Sequence, residues 1–169
     1  MTLREPVHLE DPRTIGPVHF IAIGGAGMSG VARAYAELGA EVSGSDQVNS
    51  TRLESLSAMG VRTWVGHDPS HVHGARTVVV SSAIHDDNPE LVEARRLGLR
   101  IWHRSAALAA LMLGRQGVSV AGTHGKTTTS AIIASILTDA GMDPSYVIGS
   151  PLATSGRSAH LGRGDAFVV

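Results

Sequence analysis

Residues 18–30 read VHFIAIGGAGMSG, a short apolar run followed at once by a glycine-rich turn. Gly25, Gly27 and Gly30 fit the spacing G-x-G-x-x-G, in which glycines allow a tight turn and a close approach of the backbone to a pyrophosphate. The residues after the turn predict a helix from Val31 to Leu38, and the first amides of such a helix attract anions. Asp46 follows the next predicted strand, about 20 residues on, where a carboxylate contacts a ribose hydroxyl. The pattern predicts a nucleotide-binding strand–turn–helix unit.

A second turn of this kind lies about a hundred residues further along the chain. Residues 122–128 read GTHGKTT, which matches the last three positions of a P-loop at Gly125, Lys126 and Thr127. In that motif backbone amides hold the phosphates, the lysine reaches the β- and γ-phosphates, and the hydroxyl binds Mg²⁺. The turn is a shortened variant, because Val120 stands where the full motif has glycine. Lys126 is the only lysine among 14 basic residues, at a position where arginine is not an equivalent.

Short apolar strands alternate with helical patterns along the chain, and several strands are apolar on both faces. This alternation predicts an α/β fold: a Rossmann-like parallel-sheet domain followed by the start of a P-loop-type domain. We expect an N-terminal arm at 1–16, the first domain at 17–115 and a partial second domain at 116–169. We expect helices to begin at Ser50 and Asn88 and a loop to fill 150–164. One stripe of the last helix is predicted to be apolar; it comprises Ile132, Ile133, Ile136 and Leu137.

Composition excludes several functional classes. The chain of 169 residues has no cysteine, so disulfide scaffolds, thiolate metal sites and cysteine nucleophiles are excluded. A net charge of -1 predicts no binding to nucleic acid or to an anionic membrane. The longest apolar run, Ala106 to Leu113, is far shorter than the about 20 residues that a membrane-spanning helix needs. We therefore expect a cytoplasmic protein.

Five segments, taken in order, resemble the Mur ligase family: residues 18–30, 44–46 (GSD), 81–84 (SSAI), 88–90 (NPE) and 121–129 (AGTHGKTTT). The turn at 24–30 is most similar to that of the alanine-adding members. This resemblance implies a Mur ligase central domain in the second unit and a role in peptidoglycan precursor synthesis. It also implies a ligase that uses ATP and Mg²⁺ to phosphorylate the carboxylate of UDP-N-acetylmuramate. The amine of L-alanine then displaces the phosphate.

The resemblance also implies residue roles. The site for the UDP substrate would comprise Gly24, Gly25, Ala26, Gly27, Met28, Ser29, Gly30, Asp46, His67 and Ser82. The site for ATP would comprise Gly122, Thr123, His124, Gly125, Lys126, Thr127 and Thr128. Lys126 and Thr127 would be the catalytic residues, and Thr127 would bind Mg²⁺ together with ligands beyond residue 169. Because family members are much longer, we expect an inactive N-terminal fragment. Its second unit, residues 116–169, is small and would expose sheet edges, so we expect either self-association through this part or high mobility there.

Two other functions remain open from the residues themselves. An NAD(P)-binding oxidoreductase domain would use Gly25, Gly27, Gly30 and Asp46, but it leaves the lysine-containing turn unexplained. A non-catalytic nucleotide-binding module would use both turns. For His67 and Ser82, ordinary solvated loop positions are as consistent with the pattern as binding roles.

Overall fold

The chain divides into two compact units, with the boundary between Leu111 and Met112. The computed structural model describes residues 7–169, so the first six residues of the arm predicted at 1–16 lie outside the described residues. In the rest of that segment the Ile15 side chain is buried, and its carbonyl accepts a hydrogen bond of 3.2 Å from the Thr77 hydroxyl. No helix within residues 7–169 combines the length and apolar character needed to cross a bilayer.

The first unit is a five-stranded, fully parallel sheet with the order β3-β2-β1-β4-β5. Its strands β1 to β5 are Val18–Ile21, Val42–Asp46, Arg62–Val65, Thr77–Val80 and Arg100–His103. Its helices α1 to α4 are Ala26–Glu37, Thr51–Ala58, Pro89–Arg96 and Arg104–Leu111. The predicted α/β class is confirmed. Because the strand order reverses between β1 and β4, the loops after these two strands diverge and open a crevice at the carboxyl edge of the sheet.

Local sequence signals account for these elements. Every residue of β1 and β4 is buried, as expected for strands covered on both faces. The predicted helix starts are confirmed, because the Ser50 hydroxyl accepts from the Leu53 amide and the Asn88 side chain accepts from the amides at the start of α3. Helix α1 begins earlier than predicted, at Ala26, so Gly27 lies within its first turn rather than before it.

The second unit contains a four-stranded sheet with the order β6-β9-β7-β8. Its elements in chain order are β6 (Gln116–Val118), α5 (Lys126–Asp139), β7 (Ser145–Val147), β8 (Ala159–His160) and β9 (Ala166–Val168). Strand β8 pairs antiparallel with β7, whereas the other pairs are parallel. The segment predicted as a loop at 150–164 therefore contains one strand, whose two residues are too few to form a recognisable alternation.

Helix α5 covers this sheet with only part of its apolar surface. Ile133 and Leu137 pack against a cluster that includes Ala134 and Tyr146. Ile132 is 53% exposed and Ile136 is 61% exposed, so the predicted single stripe is wrong for these two. At 100° per residue they lie on the side of the helix away from the sheet, which faces solvent in the described structure.

Candidate functional site

The glycine-rich turn after β1 is held by the end of β2. The Gly24 amide donates to Asp46 Oδ2 at 2.9 Å, and the Ile23 amide donates to the Ser45 carbonyl at 2.9 Å. Gly25 caps α1 without any side-chain hydrogen bond, and the first turn of α1 contains no acidic residue. The amides at the start of the helix, which have no intrahelical acceptor, therefore form an uncompensated positive end.

Arg104 adds a cation to this helix end. A Cβ at Gly27 would overlap a guanidinium nitrogen of Arg104, the first residue of α4. Arg104 forms no hydrogen bond or ion pair with any of the described residues 7–169. A partly buried, unpaired guanidinium beside a positive helix end is suited to bind an anion. Sequence reasoning missed Arg104, because nothing in its local pattern relates it to the turn after β1.

A cleft of about 620 Å³ opens at the carboxyl edge of the sheet, next to this turn. The residues around it lie at or after the carboxyl ends of the first four strands; they are Ala22, Asp46, Gln47, His67, Ala83, Ile84, His85, Asp87, Asn88 and Pro89. Two of the predicted site residues, Asp46 and His67, therefore share one cleft. Ser82 is exposed and does not belong to this lining. The side chains of Met28 and Ser29 are buried, so these residues offer a ligand only their backbone.

Behind the cleft lies a buried carboxylate surrounded by imidazoles. Glu90 is fully buried; its Oε2 accepts from Ser45 Oγ at 2.6 Å and lies 3.2 Å from His67 Nδ1. Its Oε1 lies 2.7 Å from His71 Nδ1, and His71 stacks on Trp64 with ring centroids 4.5 Å apart. Burial raises the pKa of Glu90, but His19, Ser45 and His71 outweigh that effect and lower the pKa to about 2. Glu90 is therefore an anion at neutral pH.

Sequence reasoning used Glu90 only as part of a helix start. The residues that contact it come from β2 and from the segment after β3, so no local periodicity connects them. The buried His19 completes the group, with Nε2 3.6 Å from Glu90 Oε2. Of these residues, only Ser45 and Glu90 contact the ring of His67.

The second turn, at residues 122–128, is exposed along its whole length. Gly125 has φ 76° and caps α5, so the turn depends on a glycine at this position. Lys126 Nζ donates to the carbonyl of Gly122 and, at 3.3 Å, to the carbonyl of Thr123. The lysine is thus folded back over its own turn, at the N-terminal end of α5, a kind of helix end that attracts anions.

The donor set for a metal at this turn is small. No group of three His, Asp or Glu side chains in residues 7–169 is arranged to hold a metal ion. Thr127 is exposed, and its hydroxyl faces Gly149, where an added Cβ would lie 2.9 Å from Oγ1. One hydroxyl fits Mg²⁺, which usually retains waters and takes few protein ligands beside the phosphates of a nucleotide.

Comparison with known proteins places the chain in one family by both a family model and curated relatives. Residues 17–116 match the model described as "Mur ligase family, catalytic domain". The chain is 75% identical, over all 169 residues, to UDP-N-acetylmuramate–L-alanine ligase of Cutibacterium acnes, and 54% identical to that of Thermobifida fusca. In both cases it spans 36% of the relative's length.

A solved structure shows the same fold. It is the UDP-N-acetylmuramate–alanine ligase of Thermotoga maritima, with a TM-score of 0.82 and 29% identity. The match covers 89% of this chain and 36% of that one. The resemblance inferred from the five sequence segments is therefore confirmed.

Proposed function

Because the chain belongs to the Mur ligase family, we propose that it is part of an ATP-dependent ligase that joins L-alanine to UDP-N-acetylmuramate. In this reaction the γ-phosphoryl group of ATP moves to the substrate carboxylate, and the amine of L-alanine displaces it as phosphate. The product is a cytoplasmic precursor of peptidoglycan. The observation that carries the proposal is the presence, in one chain, of a cleft-bearing Rossmann-like unit and a separate turn with the single lysine.

The first unit holds the UDP end of the substrate in this proposal. The cleft that contains Asp46 and His67 takes the uridine, with the Asp46 carboxylate beside the ribose. The diphosphate meets the first amides of α1, where Gly27 leaves the backbone accessible and Arg104 supplies a positive charge. These groups bind and orient the substrate, and the chemistry takes place at its far end.

The second unit holds the phosphates of ATP. The amides at the start of α5 face the phosphates, and Lys126 exchanges the carbonyls of Gly122 and Thr123 for phosphate oxygens. Thr127 is the residue that would hold Mg²⁺, which supplies charge neutralisation on the phosphates. Lys126 and Thr127 therefore act on the group that is transferred.

Isothermal titration of the chain with UDP-N-acetylmuramate, ATP with Mg²⁺, and NADH tests this function. We expect UDP-N-acetylmuramate to bind and NADH not to bind. Binding of NADH without UDP-N-acetylmuramate would instead support an oxidoreductase domain. If none of the three ligands binds, both the ligase assignment and the oxidoreductase assignment are contradicted.

A further inference from the structure

The contacts of His67 determine which of its ring nitrogens carries the proton. Ser45 Oγ lies 2.6 Å from the ionised Glu90 Oε2, so the hydroxyl hydrogen of Ser45 is donated to the carboxylate. His67 Nδ1 lies 3.0 Å from Ser45 Oγ and 3.2 Å from Glu90 Oε2. Both neighbours can only accept from this nitrogen, since the one hydrogen of the hydroxyl is already used. In neutral His67 the proton therefore resides on Nδ1.

The other nitrogen is the one available to a ligand. His67 lines the cleft, and Nε2 has no hydrogen-bond partner among residues 7–169. In the Nδ1-protonated ring, Nε2 carries a lone pair and accepts hydrogen bonds. A base bound in the cleft is therefore recognised through a hydrogen-bond donor on its edge.

We propose that Glu90 and Ser45 are positioning residues for His67, and that His67 Nε2 selects uracil by accepting a hydrogen bond from its N3–H group. Uracil carries a donor at N3, whereas cytosine carries a lone pair there, which would face the lone pair of Nε2. This inference rests on the proposed function, because it assumes that the uridine end of the substrate occupies the cleft. A site built around one donor or acceptor rejects the analogue that lacks its complement.

The experiment compares three nucleotides with the same diphosphate: UDP, CDP and 3-methyl-UDP, in which a methyl group replaces the N3 hydrogen. All three are titrated at about pH 8, above the usual range of imidazole groups in general. We expect UDP to bind roughly tenfold more tightly than either analogue. In His67→Ala this preference should fall to about twofold or less, and in Glu90→Gln it should be reduced.

His71→Gln is the matched control. His71 contacts the same carboxylate through Oε1 but does not line the cleft, so this variant should keep the full preference for UDP. Because a change at the buried Glu90 can impair folding, His67→Ala alone suffices to test selection by the ring. Retention of the preference in His67→Ala, or its equal loss in His71→Gln, would overturn the proposal.

Nitrogen-15 NMR of the histidine rings tests the tautomer without a ligand. We expect the His67 signals of an Nδ1-protonated ring in the wild-type chain and a shifted tautomer ratio in Glu90→Gln. An Nε2-protonated ring in the wild type would refute the inference and leave the proposed function standing. If the wild-type chain binds neither UDP nor UDP-N-acetylmuramate, the proposed function fails.

Discussion

The guanidinium of Arg104 lies in the space that a side chain at Gly27 would fill. The glycine thus has two effects: it leaves the first turn of α1 open and it lets a cation from α4 approach that turn. The G-x-G-x-x-G spacing indicates the first effect but contains no information on the second. The sequence-based expectation that a side chain at Gly27 blocks a pyrophosphate therefore acquires a second physical cause, displacement of Arg104.

Gly27→Val should weaken binding of UDP-N-acetylmuramate at least tenfold, because it blocks the backbone and moves the guanidinium. Arg104→Gln should weaken it by a similar factor through loss of a charge-assisted contact. The double variant should lose less than the sum of the two effects, since both act on one contact. Isothermal titration measures each value. The control is Arg33→Gln, which removes a charge from α1, the helix that contains Gly27, and should bind normally.

Lys126→Met should lower the affinity for ATP roughly ten- to hundredfold, because it removes the ammonium that faces the phosphates. It should leave the affinity for UDP-N-acetylmuramate unchanged, since the two turns belong to separate units. Lys126→Arg keeps the charge but not its compact shape, and should recover only part of the affinity. Loss of UDP-N-acetylmuramate binding in Lys126→Met would show that the two sites are not independent.

Glu90→Gln should destabilise the chain at pH 7 by roughly 1.5–3 kcal/mol, the usual contribution of hydrogen bonds to a charged group. The pKa of Glu90 is lowered from 4.5 to about 2 in the folded chain, so its ionised form stabilises the fold above pH 4.5. That contribution is lost as the pH falls from 4.5 towards 2. Urea denaturation measures the free energy of unfolding of the wild-type chain and of Glu90→Gln across this range. The difference between the two free energies should become smaller as the pH falls. A difference that is constant with pH would contradict the lowered pKa.

Gly162→Ala should destabilise the second unit by about 1–3 kcal/mol, since a Cβ there would overlap the Asp143 carbonyl, a backbone group that cannot move aside. Gly117→Ala is the matched control. The atom nearest to a Cβ at Gly117 is the terminal methyl of Met112, which is free to move, so we expect a change within about 0.5 kcal/mol. Thermal unfolding of the two variants measures both effects. Equal destabilisation would contradict the distinction between backbone and side-chain contacts.

The double variant Ile132→Ser, Ile136→Ser should reduce association between chains and leave folding almost unchanged. Both side chains are more than half exposed, so their replacement removes apolar surface from solvent contact rather than from the core. Multi-angle light scattering over a range of concentrations measures association, and circular dichroism checks the fold. If the wild-type chain stays monomeric at all concentrations, the predicted self-association through residues 116–169 is wrong.

Sequence patterns were most informative where structure is local. Caps at Ser50 and Asn88, and the strand–turn–helix order, follow from neighbouring residues and were predictable. The buried side of α5 was not predictable from the sequence. Ile132 and Ile133 are equally hydrophobic and differ only in that Ile133 packs against the cluster under the helix, whereas Ile132 faces solvent. The contacts between Glu90 and the histidines could not be predicted either. They join separate segments of the chain, and a buried carboxylate has no sequence signature.

The position of β1 at the centre of its sheet has a consequence during protein synthesis. Val18 pairs with Val42 on one side and with Thr77 on the other. The ribosome delivers β2 and β3 first, so one edge of β1 is covered while the other stays open until Val80 emerges. At about 5–20 residues per second, translating residues 66–80 takes roughly one to three seconds. Synonymous codons in that interval therefore set how long an apolar strand edge is open to other nascent chains.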